Sequence, residues 1–104
     1  MLLATTETIC GKTIVRHLGL VRGNTIRARN IGRDIMAKLR NVVGGEITDY
    51  TKLMGESREQ AIDRMIEEAQ GLGANAIIGI RFSTSEVMDS AAEILAYGTA
   101  VVVE

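Results

Sequence analysis

An α+β fold, built as two layers with an antiparallel sheet packed on a long helix, is predicted by three observations. Residues 46–72 repeat apolar side chains at the period of a helix. Residues 76–82 alternate in the manner of a strand, and residues 93–103 are apolar on both sides. The chain has 104 residues, the size of a single domain, which we expect to span 1–104.

The helical stretch has one apolar side and one acidic side. The apolar side contains Ile47, Tyr50, Met54, Ala61, Ile62, Met65, Ala69 and Leu72, and the acidic side contains Glu56, Glu59, Asp63 and Glu67. The apolar side keeps its phase through Gly55, which favours one continuous helix, although Ser57 and Gln60 also fit a capping box for a second start. Gly71 and Gly73 then supply a left-handed stop.

The first part of the chain reads as strands. Thr5–Ile9 is rich in threonine and predicts a short strand, and Thr13–Arg22 predicts a second strand with a bulge at Gly19. Gly23-Asn24 is a turn or a bulge before Thr25–Arg29. The pattern therefore leaves two alternatives, a hairpin or one long bent strand.

A shorter helix is predicted after these strands, over residues 31–43. Asn30 can cap its first turn, and Ile35 and Leu39 lie on its apolar side. Gly44-Gly45 ends it and leads into the longer helix.

The last two strands are expected on either side of a turn at Asp89-Ser90. Ala76–Phe82 begins the first strand, which can continue toward Met88, and Glu93–Val103 forms the second. Apart from Glu93, both faces of the second strand are nearly free of charge. An exposed strand of this kind would aggregate, and a chain of this length has little left to cover it. We therefore expect another copy of the chain to cover it.

Composition limits the location and the partners of the chain. Cys10 is the single cysteine, so no disulfide forms within the chain, which suits a reducing cytoplasm. Charged residues interrupt every apolar stretch before 18 residues, and the N-terminus lacks the pattern of a signal peptide, so we expect no membrane association. The net charge of −1 combines a balance of +6 in residues 1–45 with −7 in residues 46–104. The two halves can neutralise each other, within one subunit or between neighbours, or steer partners.

Two residues are candidates for metal binding, Cys10 and His17. One thiolate and one imidazole make at most half of a tetrahedral zinc site, which a ring of subunits could complete by symmetry. The alternative is a small buried or half-exposed thiol and an ordinary strand histidine.

A basic segment supplies the candidates for binding an anion or another small molecule. Its guanidinium groups suit planar anions, and it lacks the interleaved aromatic residues of a nucleic-acid surface, so we expect no nucleic-acid partner. The candidate ligand-binding residues are Arg16, Arg22, Arg27 and Arg29.

Nothing in the sequence indicates an enzyme. His17 is the single histidine, and no spacing suggests a nucleophile with its base. Residues 71–76 match G-x-G-x-x-A, but the predicted helix precedes this motif, whereas a dinucleotide site needs the helix after it. The sequence names no cofactor.

Four blocks of the sequence resemble the bacterial YbjQ-like family, a small uncharacterised family often labelled "putative heavy-metal-binding". They are residues 20–25 (LVRGNT), 41–46 (NVVGGE), 72–76 (LGANA) and 96–101 (AYGTAV), and the match covers nearly the whole chain. The resemblance implies a dodecin-like two-layer subunit with an antiparallel sheet and a long helix. It also implies a ring-shaped homo-oligomer of five subunits. The chain lacks the M-x-C-x-x-C motif of heavy-metal-associated domains, so the resemblance assigns no ligand role to Cys10.

Two functions are therefore expected. The first is a cytoplasmic, non-enzymatic homo-oligomer that binds a heavy metal by family resemblance, with Cys10 and His17 as the available ligands. The second is an oligomer that binds a small molecule or anion in pockets between subunits, lined by the arginines of residues 16–33.

Overall fold

Four strands and one helix make up the described part of the chain in the computed structural model, which covers residues 1–27, 48–88 and 91–104. They are β1 (Leu2–Leu3), β2 (Ile14–Arg27), α1 (Thr48–Gly71), β3 (Ala76–Met88) and β4 (Ala91–Val103). The α+β class is confirmed. The shorter helix over 31–43 with its cap at Asn30, the glycines at 44 and 45, Arg29 and the turn at 89–90 lie outside the described residues.

The four strands form one mixed sheet in the order β1-β3-β4-β2. β4 is antiparallel to both β2 and β3, whereas β1 is parallel to β3, so the expectation of a purely antiparallel sheet is wrong at this edge. In the parallel pair, Leu2 and Leu3 of β1 align with Ala76 and Ile77 of β3, although the two strands are far apart in the sequence. The Leu2 amide donates to the Asn75 carbonyl at 3.1 Å, which starts the pairing.

The predicted strand over Thr5–Ile9 is also wrong, because residues 5–8 form a bend. The hydroxyl of Thr6 donates to the carbonyl of Thr8 at 2.6 Å, and such local bonds of threonine compete with strand pairing. A turn follows, in which the Lys12 amide donates to the Ile9 carbonyl at 3.0 Å. Gly11 occupies the left-handed region there, with φ of 77°.

β2 is one long strand and not a hairpin. It pairs with β4 from Ile14 to Arg27, and Gly23 lies opposite Ala96 in regular register. The predicted bulge at Gly19 is confirmed by a φ of 115° and a register shift between His17 and Gly19.

Gly23 serves the packing of α1 on β2. A Cβ atom at Gly23 would meet the backbone of Ala61 and Met65, so a larger residue would push the helix away. Hydrogen bonds fix the same contact, since the Thr25 hydroxyl donates to the Ser57 carbonyl at 3.2 Å and the Arg64 guanidinium donates to the Asn24 carbonyl at 2.5 Å.

The helix α1 continues through Gly55 and ends in a Schellman motif. Ser57 lies inside the helix, where its hydroxyl donates to the Leu53 carbonyl, so it does not start a new helix. At the end, the Ala74 amide donates to the Ala69 carbonyl at 3.1 Å, and Gly73 has a φ of 86°. No helix in the described ranges is long and apolar enough to cross a membrane.

β3 extends to Met88, as the sequence allows, but its alternation changes at Gly79. Gly79 has a φ of 61° and lies in a register shift between Ile78 and Arg81. As a result Ile80 joins Ile77 under α1, while Ile78 lies on the opposite face. The predicted alternation over residues 76–82, which would place Ile78 and Ile80 on one face, is therefore interrupted at Gly79.

Two apolar clusters lie on the two faces of the sheet. The larger one, between α1 and the sheet, is built around Val21, Ala61, Met65, Ala69, Ile77, Ile94, Ala96 and Ala100. The smaller one contains Ala76, Ile78, Val101 and Val103, and Ile9 and Ile14 pack against it. The N-terminal segment thus covers one end of the second face of β4, so part of the cover that was expected from another copy comes from the chain itself.

Candidate functional site

The candidate site is the face of the sheet that points away from α1, which we call the open face. On β2, Val21, Gly23 and Thr25 are buried under α1, so the residues between them lie on the open face. Through the strand pairing the open face contains Leu20, Arg22, Asn24 and Ile26 of β2, Leu95 and Tyr97 of β4, and Arg81 and Ser83 of β3.

The open face carries an exposed apolar patch along β2. Leu20 is 62% exposed and Ile26 is 57% exposed, while Leu95 and Tyr97 beside them are half-buried. The patch is divided by polar groups, among them a hydrogen bond of 3.0 Å from the Asn24 amide nitrogen to the Glu93 carboxylate. Contiguous apolar side chains exposed on a pleated face are typical of an interaction surface.

A row of three residues crosses the open face, because Arg22 and Arg81 both pair with Tyr97. The guanidinium of Arg81 is held by backbone, since its Nη1 donates to the carbonyls of Thr5 and Ile80, each at 2.8 Å. Arg22 is exposed and has no hydrogen-bond or ion-pair partner among the described residues. Within the described ranges, Arg22 is therefore the guanidinium in this row that no hydrogen bond holds in place.

The arginines that the sequence selected do not converge. Arg16 pairs with Val102 and Arg22 with Tyr97, and these two positions of β4 point to opposite faces of the sheet. Arg27 is the last residue of β2, and Arg29 lies outside the described residues. Sequence reasoning missed Arg81, because its place beside Tyr97 depends on the register of β3 against β4.

Each of the two candidate metal ligands lies next to a residue of the smaller apolar cluster or a residue packed against it. Cys10 is an exposed free thiol in the turn after Ile9, which packs against the cluster containing Val101. His17 is exposed and pairs with Val101. Within the described ranges, no group of three or more His, Cys, Asp or Glu residues is arranged to hold a metal ion.

A shallow groove of about 590 Å³ runs along the solvent side of α1 and is lined by charged residues of both signs. Lys52, Glu56, Arg58, Glu59 and Asp63 line it, so part of the predicted acidic side has cations beside it. An open groove of mixed charge fits a solvated surface better than a cation site, which needs ligands that wrap the ion.

The family follows from comparison of the whole chain. The YbjQ family model, described as "Putative heavy-metal-binding", matches residues 1–104. The chain belongs to the YbjQ family. The resemblance seen in the sequence is thereby confirmed.

Relatives in this family cover nearly the full chain. A "UPF0145 protein" of Halorubrum lacusprofundi is 63% identical over 101 residues, 97% of each chain. A second, from Methanosarcina acetivorans, is 58% identical and covers 97% of this chain and 95% of its own length. A third, from Dehalococcoides mccartyi strain 195, is 59% identical over 104 residues, 100% of both chains. The family includes archaeal members, so the expectation of a bacterial family is too narrow.

A solved structure shares the fold. A protein of unknown function from Pediococcus pentosaceus, of the DUF74 family, superimposes with a TM-score of 0.65. The match covers 100% of this chain and 98% of that chain at 18% identity. At this identity the likeness extends to the fold alone.

Proposed function

We propose that this YbjQ-family chain is a subunit of a cytoplasmic homo-oligomer, which acts by assembly and binding and not by catalysis. The observation that carries the proposal is the exposure of Leu20 and Ile26 on the open face of β2, next to the half-buried Leu95 and Tyr97. The exposed free thiol of Cys10 supports a reducing compartment.

The exposure of Leu20 and Ile26 supports a stabilising contact. Full burial of a leucine or isoleucine side chain contributes about 1.5–3 kcal/mol. At the exposures of Leu20 and Ile26, burial in a contact therefore contributes roughly 1–2 kcal/mol for each residue. In a ring, each subunit contributes this surface to one contact. Burial of Leu95 and Tyr97 adds to the free energy of that contact. A second copy of the chain is the expected partner, because most soluble oligomers contain identical subunits.

Sedimentation equilibrium of the wild-type chain and of Ile26→Asp tests the proposal. We expect an assembly of more than two copies for the wild type, five by the family resemblance, and dissociation for Ile26→Asp, because a carboxylate in the contact loses its hydration. The matched control is Leu72→Asp, since Leu72 is 45% exposed after the end of α1 and away from the open face. A folded wild-type monomer at micromolar concentration would overturn the proposal.

A second candidate function is the binding of a small anion at Arg22. It is favoured by the exposed guanidinium of Arg22 beside Tyr97, which has no partner within the described ranges and lies on a partly apolar face where solvent is reduced by assembly. Native mass spectrometry of freshly purified protein, with thermal-shift measurements on added nucleotides and flavins, tests this function. Arg22→Ala should remove the thermal shift, whereas Arg16→Ala, on the other face, should retain it. Bare protein without any shift contradicts anion binding.

The description of the family supports a third candidate, the binding of a heavy metal through Cys10 and His17. His17 pairs with Val101, and Ile9, the residue before Cys10, packs against the cluster that contains Val101. A neighbouring subunit could supply the further ligands that a tetrahedral site requires.

A further inference from the structure

The apolar patch of the open face has two parts, and a polar pair separates them. The Asn24 amide nitrogen donates to the Glu93 carboxylate at 3.0 Å. Along β2, Leu20 lies on one side of this pair and Ile26 on the other, and both are more than half exposed. Alternate residues of a strand share a face and lie about 7 Å apart. The exposed Arg22 therefore has an apolar neighbour on one side and the polar pair on the other.

The charges around Arg22 suit a ligand with a single negative charge. On the described part of the open face, the charged groups nearest to Arg22 are Arg81, across β4, and Glu93, held by Asn24. Two guanidinium groups and one carboxylate leave an excess of one positive charge. Because the carboxylate lies on the side of Arg22 away from Leu20, it repels an anion there and favours a ligand that extends over Leu20.

The surface on the Leu20 side of Arg22 suits a flat apolar group. Leu20 pairs with Thr99 and Arg22 pairs with Tyr97, and both partners on β4 are half-buried. Directly opposed side chains have Cβ atoms about 5 Å apart, so these four residues frame an area close to that of two fused aromatic rings. A rigid aromatic ring loses less conformational freedom on binding than an alkyl chain does. Such a ring can also contact the ring of Tyr97 in an offset or edge-on arrangement.

We propose that Leu20, Arg22 and Tyr97 bind a planar aromatic monocarboxylate. The carboxylate pairs with the guanidinium of Arg22, which can donate two parallel hydrogen bonds to it. The aromatic ring lies over Leu20. This inference rests on the anion binding at Arg22 proposed above and names the class of anion. Ile26, beyond the polar pair, remains for the contact between copies.

Saturation-transfer NMR with naphthoate at low salt tests the site in the wild-type chain as purified. Naphthoate should bind about tenfold more tightly than acetate or neutral naphthalenemethanol, because each of these probes makes only part of the contacts. Arg22→Gln should weaken naphthoate binding about tenfold, and Leu20→Thr about fivefold. Both positions are exposed and threonine favours strands, so both variants should fold, as circular dichroism will check.

The matched control is Phe82→Thr, which removes another exposed apolar side chain from the sheet. Phe82 is 47% exposed and pairs with Ala96 on the helix side, away from the open face. Naphthoate should bind this variant as it binds the wild type. Equal weakening by Phe82→Thr and Leu20→Thr would show adhesion to any exposed apolar group and would overturn the inference.

Glu93→Gln tests the selection of a single charge. Glutamine keeps an oxygen that accepts the hydrogen bond from Asn24, but it removes the negative charge. Naphthyl phosphate carries nearly two negative charges at about pH 8. At about 7 Å in water, one protein charge changes binding about threefold for each charge on the ligand. The preference for naphthoate over naphthyl phosphate should therefore fall about threefold in Glu93→Gln, and an unchanged preference would contradict the role of Glu93.

The remaining outcomes separate this inference from the anion binding on which it rests. If naphthoate binds no more tightly than acetate, and Arg22→Gln abolishes the binding of both, the aromatic ligand is excluded and an anion site at Arg22 remains. If neither probe binds the folded wild-type chain, the anion site and the aromatic ligand are both excluded.

Discussion

Replacing Gly23 with alanine should destabilise the fold strongly, although it adds one methyl group and improves the local preference for a strand. Gly23 is not in the left-handed region, so its backbone conformation alone does not require glycine. The cost comes from α1, since the new Cβ would meet the Ala61 carbonyl, the Met65 amide and the Arg64 Cβ, the last at 2.8 Å. Carbon atoms normally approach to about 3.5–4.0 Å.

The magnitude follows from what must move. The atoms that clash with the new Cβ are mainly backbone atoms of α1, so α1 must shift away from β2 by roughly 1 Å to remove the clash. This shift loosens the contacts of the buried Val21, Ala61 and Met65. Overpacking typically costs about 1–3 kcal/mol. We expect about 3 kcal/mol here, a large fraction of the roughly 5–15 kcal/mol that stabilises a domain. For a domain of this size that lowers Tm by roughly 10–20 °C.

The matched control is Gly55→Ala in α1. A Cβ at Gly55 has Arg58 Nη2 as its nearest neighbour at 3.9 Å, so it fits without a clash. Alanine is better than glycine within a helix, and we expect a gain of about 0.4–1 kcal/mol. The two substitutions are chemically identical and should change stability in opposite directions.

Equilibrium urea unfolding followed by circular dichroism measures both variants at one protein concentration, because association makes the apparent stability depend on concentration. The midpoint for Gly23→Ala should fall while that for Gly55→Ala rises, with similar slopes. If Gly23→Ala is as stable as the wild type, the close approach of α1 to β2 is not a feature of the molecule.

Three further predictions concern single side chains. Asn75→Ala should cost about 1–3 kcal/mol in urea unfolding, because it removes two hydrogen bonds of 2.8 Å to the Val103 amide and carbonyl, and wild-type stability would contradict this. Val101→Asp should yield insoluble or unfolded chains, since it places a carboxylate at a fully buried position, whereas Val15→Asp, exposed at 47%, should fold normally. Purified wild-type protein should retain zinc or copper weakly, and Cys10→Ser should retain no stoichiometric metal in elemental analysis, because a thiolate is lost. Roughly one metal per subunit in Cys10→Ser would show that other residues bind it.

The local elements were predictable because their signals lie within a few residues. The glycine stop of the helix is of this kind, since Gly73 takes the left-handed conformation that ends α1. Continuity through Gly55 followed from the phase of the apolar side. β3 and β4 followed from their apolar and alternating runs.

The arrangement of the candidate site was not predictable in the same way. The alternation of apolar residues predicted which face each side chain occupies, but register shifts at Gly19 and Gly79 interrupt this alternation. As a result, Ile80 lies on the helix side of the sheet. Arg16 lies on the face opposite Arg22. Arg22, Tyr97 and Arg81 come together through pairings between strands that are distant in sequence. No local pattern encodes such a register.

Tertiary contacts also decided the secondary structure of residues whose local sequence favours a different element. Gly23 fits a turn by composition, yet β2 runs straight through it because α1 needs the space that its missing side chain leaves. The sequence pattern predicts a threonine-rich strand over residues 5–9, yet the N-terminal strand that forms is Leu2–Leu3, which pairs with Ala76 and Ile77. The amino-acid sequence by itself determined the period and the ends of the elements, because these depend on neighbouring residues. The pairing partners, the faces and the close approach of helix to strand depend on long-range packing, and the tertiary structure decided them.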